Sequence, residues 1–253
     1  MQQQWRFFKM ALMYFTVIPI ATIADFQDAE QARAMKFFPL IGILVGCVAG
    51  IIYSLAYRLF PADIAVLCSL ASSIYLTGCL HEDGLSDTVD GLGGGGSTER
   101  ILDIMRDSRI GSFGATGLML VLYGKLLALN HIVHELIPLT LIAAHSLSRL
   151  AGIALITALP YLRQQGKAHA LAKPLTHTEL LFAASSGVAP LFFLPALAGL
   201  SGLLALILSS LIFGRLLIKR IGGYTGDCLG AMQQLAELAF YLGVIAWLHA
   251  TVT

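Results

Sequence analysis

Apolar residues run along this chain in long blocks, separated by short polar breaks. The blocks cover residues 37–59, 64–80, 110–129, 136–160, 179–198, 202–218 and 234–252. Each has about 17–25 residues, the length at which a helix crosses the hydrocarbon of a bilayer. Pro61, Asn130, Pro160 with Pro174, and Gly199 punctuate them. Alternation of period two, the mark of a membrane barrel, is absent. Open strands in lipid would leave backbone amides unsatisfied. The pattern predicts an all-α polytopic membrane protein, one integral domain over residues 1–253 with about seven transmembrane helices. Before the first block, MQQQWRFFKMALMYFTVIPI has a charged start and an apolar run. With no small-residue cleavage site before Asp25, it predicts a retained interfacial helix.

Composition agrees with a membrane protein. The chain is 57% hydrophobic and 12% charged, whereas a soluble domain carries roughly a quarter charged residues. A net charge of +1 gives no footing for a nucleic-acid partner. Cys47, Cys68, Cys79 and Cys228 form no CxxC pair and are expected to be small buried hydrophobes. Gly42, Gly46 and Gly50 recur every four residues, a spacing that lets two helices approach closely. That contact is expected inside the monomer, although the sequence leaves a homo-oligomer open.

Basic residues orient the spans. With the N-terminus in the cytoplasm, thirteen lysines and arginines fall on that side. Only Arg58 faces the other, while Lys125 and Arg149 lie within spans. This asymmetry follows the positive-inside rule. It places segments 81–109, 161–178 and 219–233 together at the cytoplasmic face.

Seven of the fifteen acids fall within residues 81–109, beginning HEDGLSDTVDGLGGGG. Asp83, Asp87 and Asp90, spaced four and three apart, share one face of a helix. Three carboxylates there repel unless a cation compensates, and oxygen-only ligands suit a hard ion such as Mg²⁺. Glu82 could join them only if the helix has ended, and His81 is expected to be an interface residue. Gly91 and Gly93–Gly96 are expected to break the helix and form a lid or linker. Ser97 or Thr98 would then cap a new helix. Arg106 lies beside its acids, and Arg109 at the membrane edge could clamp a phosphate.

Two further stretches fall at the same face. In AHSLSRL, His145 and Arg149 lie one turn apart with Ser148 adjacent. An arginine inside a span is costly, so it should face protein or water, as an ion pair or a diphosphate contact. His145 is a candidate base. In GGYTGDCLGAMQQLAEL, Thr225 caps a helix whose first turn holds Asp227, a group suited to a cation or a sugar hydroxyl. A secondary transporter is the alternative class, with the acids as coupling charges.

HEDGLSDTVDG, ERILDIMRDSRIGSFG, AHSLSR and GGYTGDCLGA, with FFPLIG at 37–42, together resemble the cobalamin synthase family of adenosylcobinamide-GDP ribazoletransferases. The motifs stand in order and span nearly the whole chain. The resemblance implies a Mg²⁺-dependent enzyme of the bacterial cytoplasmic membrane. It would join α-ribazole, or its 5′-phosphate, to adenosylcobinamide-GDP, releasing GMP and yielding adenosylcobalamin or its 5′-phosphate. On that reading Asp83, Asp87 and Asp90 hold Mg²⁺ against the diphosphate, while Arg109 and Arg149 position it. Arg106, His145, Ser148, Thr225 and Asp227 would contact substrate, and with free ribazole as the second substrate Asp83 or Asp87 would instead take the hydroxyl proton. A CDP-alcohol phosphotransferase, the nearest rival, requires Asp-Gly-x-x-Ala-Arg. Here Asp87 and Thr88 stand where Ala and Arg would.

Overall fold

The computed structural model describes residues 2–20, 23, 28–163 and 175–252. Asp25, and Lys167 and Lys173 of the 161–178 loop, lie outside the described residues. The described residues form α1 (Gln2–Phe15), α2 (Asp28–Ala34), α3 (Phe38–Ala56), α4 (Ala62–Thr77), α5 (Leu80–Gly94) and α6 (Thr98–Ile104). Then come α7 (Ser112–Asn130), α8 (Ile137–Ala158), α9 (His177–Val188), α10 (Ala196–Ile221) and α11 (Gly226–Val252). Tyr161 and Tyr224 make an isolated β-bridge, with no strand among the described residues.

Among the described residues, five stretches are long and apolar enough to cross a bilayer: Glu30–Ala56, which ends in α3, and those of α7, α8, α10 and α11. The expected count of seven is not reached, for two local reasons. In the 64–80 block, Gly78 and Cys79 adopt φ of 61° and 58°. These left-handed residues end α4 and turn the chain, so α5 leaves at 88° to it and the pair makes at most one bent span. In the 179–198 block, α9 has only 12 residues and passes into a 3₁₀ segment, Ala189–Phe193, that contains Pro190. Leu194 is extended before Pro195. Proline removes a helical donor and clashes with the preceding turn, so no continuous span forms.

The glycines of α5 behave differently from their sequence reading. Gly91, Gly93 and Gly94 stay helical, and the helix ends only where Gly95 and Gly96 take positive φ. A Cβ on Gly91 would approach the Met105 side chain to 2.6 Å, and one on Gly93 would approach Phe113 as closely. These residues are small so that α6 and α7 can pack against α5. Ser97 then caps α6, its Oγ accepting from the Arg100 N–H at 3.3 Å.

The glycine stripe of α3 packs against α8 within the monomer. A Cβ on Gly46 would lie 2.5 Å from Ile142 Cα, and one on Gly42 would collide with the His145 carbonyl. The apolar face of α1, with Phe7, Met10, Ala11 and Phe15, is buried on the bundle, and Phe15 stacks on Phe38 at 4.1 Å. Asn130 and His131 mark the far end, where Tyr57 stacks on His134 at 5.0 Å. The starts of α3 and α11, the segment after α8, and α5 meet at the other end around a cleft.

Candidate active site

The cleft has a volume of about 330 Å³. Tyr14, Phe38 and Tyr161 supply apolar walls, and Asp83, Arg163 and Asp227 supply charge. Close backbone contact between α5 and α11 produces this meeting. A Cβ on Gly84 would sit 3.1 Å from Asp227 Cα, and one on Gly230 would sit 3.2 Å from His81 Cα. Without side chains at these glycines, the helices approach until Asp83 and Asp227 line one cavity.

Asp227 is held at the start of α11. Thr225 Oγ1 donates to its carboxylate at 3.3 Å, and Arg163 donates at 2.6 Å. Asp87 is half-buried one turn along from Asp83, within electrostatic reach of Asp83, Asp227 and Arg163. Among the described residues no hydrogen bond or ion pair engages the carboxylate of Asp83 or Asp87. Just outside the spans, burial and then the charges of Tyr161 and Asp227 push the Tyr14 phenol up to about 12, so it remains a neutral donor at the cleft wall.

Asp90, expected in the metal trio, caps α7 instead. Its two oxygens accept from the Gly111 N–H at 2.7 Å and the Gly114 N–H at 2.8 Å. Glu82 points inward, where its Oε1 accepts from Gln234 at 2.8 Å. This follows from helix geometry, since Glu82 lies about 100° around α5 from Asp83. No three His, Cys, Asp or Glu side chains among the described residues are placed to hold a metal by themselves. Asp83 and Asp87 nevertheless have the chemistry for a hard ion that takes one or two carboxylates and completes its shell with substrate oxygens.

The other expected side chains divide between surface and interior. Arg106 pairs with Asp103 at 3.3 Å, and Arg109 with Asp107 at 2.6 Å. Both arginines are exposed and neither lines the cleft. The Arg109 hydrogen bonds hold the Asp107 carboxyl down to about 2. His145, Ser148 and Arg149 are fully enclosed between helices. Arg149 Nη1 donates to the His145 carbonyl at 2.8 Å, and the guanidinium lies over the Phe38 ring at 5.6 Å. Arg149 is therefore packed behind the cleft and does not line it.

The interior also holds groups that the sequence reading did not assemble. Lys125 donates to Glu237 at 2.8 Å and to Gln234 at 2.6 Å. His145 Nδ1 lies 3.0 Å from Glu237, and the Tyr241 hydroxyl donates to Glu237 at 3.2 Å. Two cations, Lys125 and Arg149, thus balance two carboxylates, Glu82 and Glu237, as buried charge requires. One signal was available: QQLAE places two glutamines and an acid inside an otherwise apolar block. Arg163 had weaker marking, because just after a span an arginine reads only as positive-inside charge.

Two of the motifs that carried the resemblance, HEDGLSDTVDG and GGYTGDCLGA, line the cleft, while ERILDIMRDSRIGSFG and AHSLSR pack outside and behind it. The family model for cobalamin-5-phosphate synthase matches residues 7–245. The chain belongs to this family. Among its relatives, an adenosylcobinamide-GDP ribazoletransferase of Ralstonia pickettii is 40% identical, covering 99% of both chains. One from Vibrio cholerae is 38% identical over 98% of this chain and 97% of its own. Another, from Shewanella amazonensis, is 38% identical over 95% of each. No solved structure matches the chain.

Proposed function

We propose that this member of the family joins α-ribazole, or its 5′-phosphate, to adenosylcobinamide-GDP and releases GMP. The reading is carried by one observation in a chain of this family: Asp83, Asp227 and Arg163 meet aromatic walls in one cleft. A ribazole hydroxyl oxygen would attack the cobinamide-linked phosphorus. The bond from that phosphorus to the GMP oxygen would break, and the hydroxyl would lose its proton.

Arg163 has the planar, always-charged fork suited to phosphate oxygens. An arriving diphosphate would draw it from Asp227, leaving that carboxylate to accept the hydroxyl proton. The Tyr14 and Tyr161 rings offer apolar surface to a flat base. Asp83 and Asp87 would hold Mg²⁺. When bound, the ion would offset negative charge growing on the leaving phosphate. The cleft end would face the cytoplasm of a bacterial membrane, since Arg100, Arg106, Arg163, Lys219 and Arg220 gather at that end of the helices.

The test is turnover in nanodiscs with adenosylcobinamide-GDP and α-ribazole 5′-phosphate, with Mg²⁺ or with EDTA. GMP and the corrinoid product are followed by chromatography. Equal amounts of GMP and cobalamin 5′-phosphate, formed only with Mg²⁺, are expected. Folded protein that forms neither product would overturn the reading.

A further inference from the structure

The cleft and the buried polar network share one side chain. His81, only 4% exposed, lines the cleft. It also borders a water-sized cavity with Glu82, Lys125, His145, Arg149 and Glu237. Its two ring nitrogens meet different surroundings. Nε2 lies 3.4 Å from Arg149 Nη2, a long hydrogen bond. A guanidinium can only donate, so Nε2 must present its lone pair and a neutral ring must carry its proton on Nδ1. His145 shows the opposite logic at work. Its Nδ1 faces the Glu237 carboxylate, which only accepts, at 3.0 Å; Arg149 Nη1 lies 3.3 Å from the same nitrogen but donates to the nearer His145 carbonyl at 2.8 Å.

His81 Nδ1 has no acceptor among the described residues. The Phe38 ring stands 6.0 Å from the imidazole, and the cleft lies beside it. A ring in this state cannot serve as a base toward the cleft, because its lone pair faces Arg149. It can offer a hydrogen bond there without adding charge.

We infer that His81 donates its Nδ1–H to an anionic phosphoryl oxygen in the cleft, and that Arg149 is the positioning residue that fixes this tautomer from behind. The choice of a phosphoryl ligand rests on the proposed transferase reading. The assignment gives a wholly buried arginine a role it performs without touching substrate.

Two measurements test it. In ¹⁵N-histidine-labelled protein in nanodiscs, the His81 signal is identified by its loss in His81→Asn. It is expected to show a protonated Nδ1 and an unprotonated Nε2. Inorganic pyrophosphate should shift the Nδ1 resonance. Arg149→Lys, which keeps a donor, should preserve the tautomer, and Arg149→Met should lose it. An Nε2–H tautomer, or a Nδ1 resonance indifferent to pyrophosphate, would overturn the inference. This readout needs no turnover, so failure of the transferase reaction is seen separately. The second measurement is kcat/KM. The Asn amide nitrogen stands near the Nδ1 position, while that of Gln reaches toward Nε2. His81→Asn is therefore expected to retain about tenfold more activity than His81→Gln, one charge-assisted hydrogen bond's worth. Equal losses in the two variants would count against the donor role.

Discussion

Arg163 donates to the Asp227 carboxylate at 2.6 Å, tying the segment after α8 to the first turn of α11. Both side chains are about one-fifth exposed, so their charges are only partly screened. The pair holds a phosphate-binding fork and a carboxylate at one cleft wall. Arg163→Met is expected to lower kcat/KM by about 10–100-fold, the range of a charge-assisted hydrogen bond. The check is GMP release at subsaturating substrate, with helical content confirmed by circular dichroism.

Asp87 and Asp90 stand one turn apart on α5 yet should fail differently. Asp87→Asn removes a carboxylate that anchors nothing in the fold, so turnover should vanish while thermal stability holds. Asp90→Ala strips the acceptor from two amides of α7, at a cost of about 1–3 kcal/mol for the groups left unsatisfied. Its thermal midpoint in detergent should fall. A stable Asp90→Ala protein that had lost Mg²⁺ dependence would return Asp90 to the metal site.

Breaking the interior charge balance should be severe. Glu237→Gln leaves Lys125 without its ion pair, and removing one partner of a buried pair costs about 3–5 kcal/mol. The yield of monodisperse protein on size-exclusion chromatography should drop sharply. Adding Lys125→Met to that variant should restore much of it, since the stranded charge is then gone. No recovery in the double variant would show that the glutamate is required for itself.

The α3–α8 contact admits no side chain at Gly46. Gly46→Val is expected to force the two backbones apart, with a penalty of about 1–3 kcal/mol or more from overpacking. A lower thermal midpoint than that of an α10 variant such as Gly214→Val measures it, because a Cβ on Gly214 meets nothing within 4 Å.

Tyr14 predicts an alkaline effect. Its folded phenol keeps the proton to about 12, against 10.0 as the ordinary value, because burial disfavours the phenolate. Stability from the protonated phenol is complete below the lower value and fades as pH rises through the upper one. Tyr14→Phe should therefore lose less of its thermal midpoint between those two pH values than the parent protein.

The sequence by itself determined the class of the fold and most of the chemistry on offer. Five of the seven apolar blocks coincide with span-length helices, because length and hydropathy are local properties. The α3 stripe, the Ser97 cap and the family were likewise legible from spacing and motif. Tertiary structure decided which groups meet. Left-handed Gly78 and Cys79 turned one block by 88°, a conformation that hydropathy does not encode. Asp90 left the acidic trio because the amides that claim it belong to α7, 21 and 24 residues away. Arg149 went to the interior and Arg163 to the cleft, although the sequence ranked them the other way. A side chain's charge and spacing are written in its own segment, whereas its partner is fixed by which helices pack together.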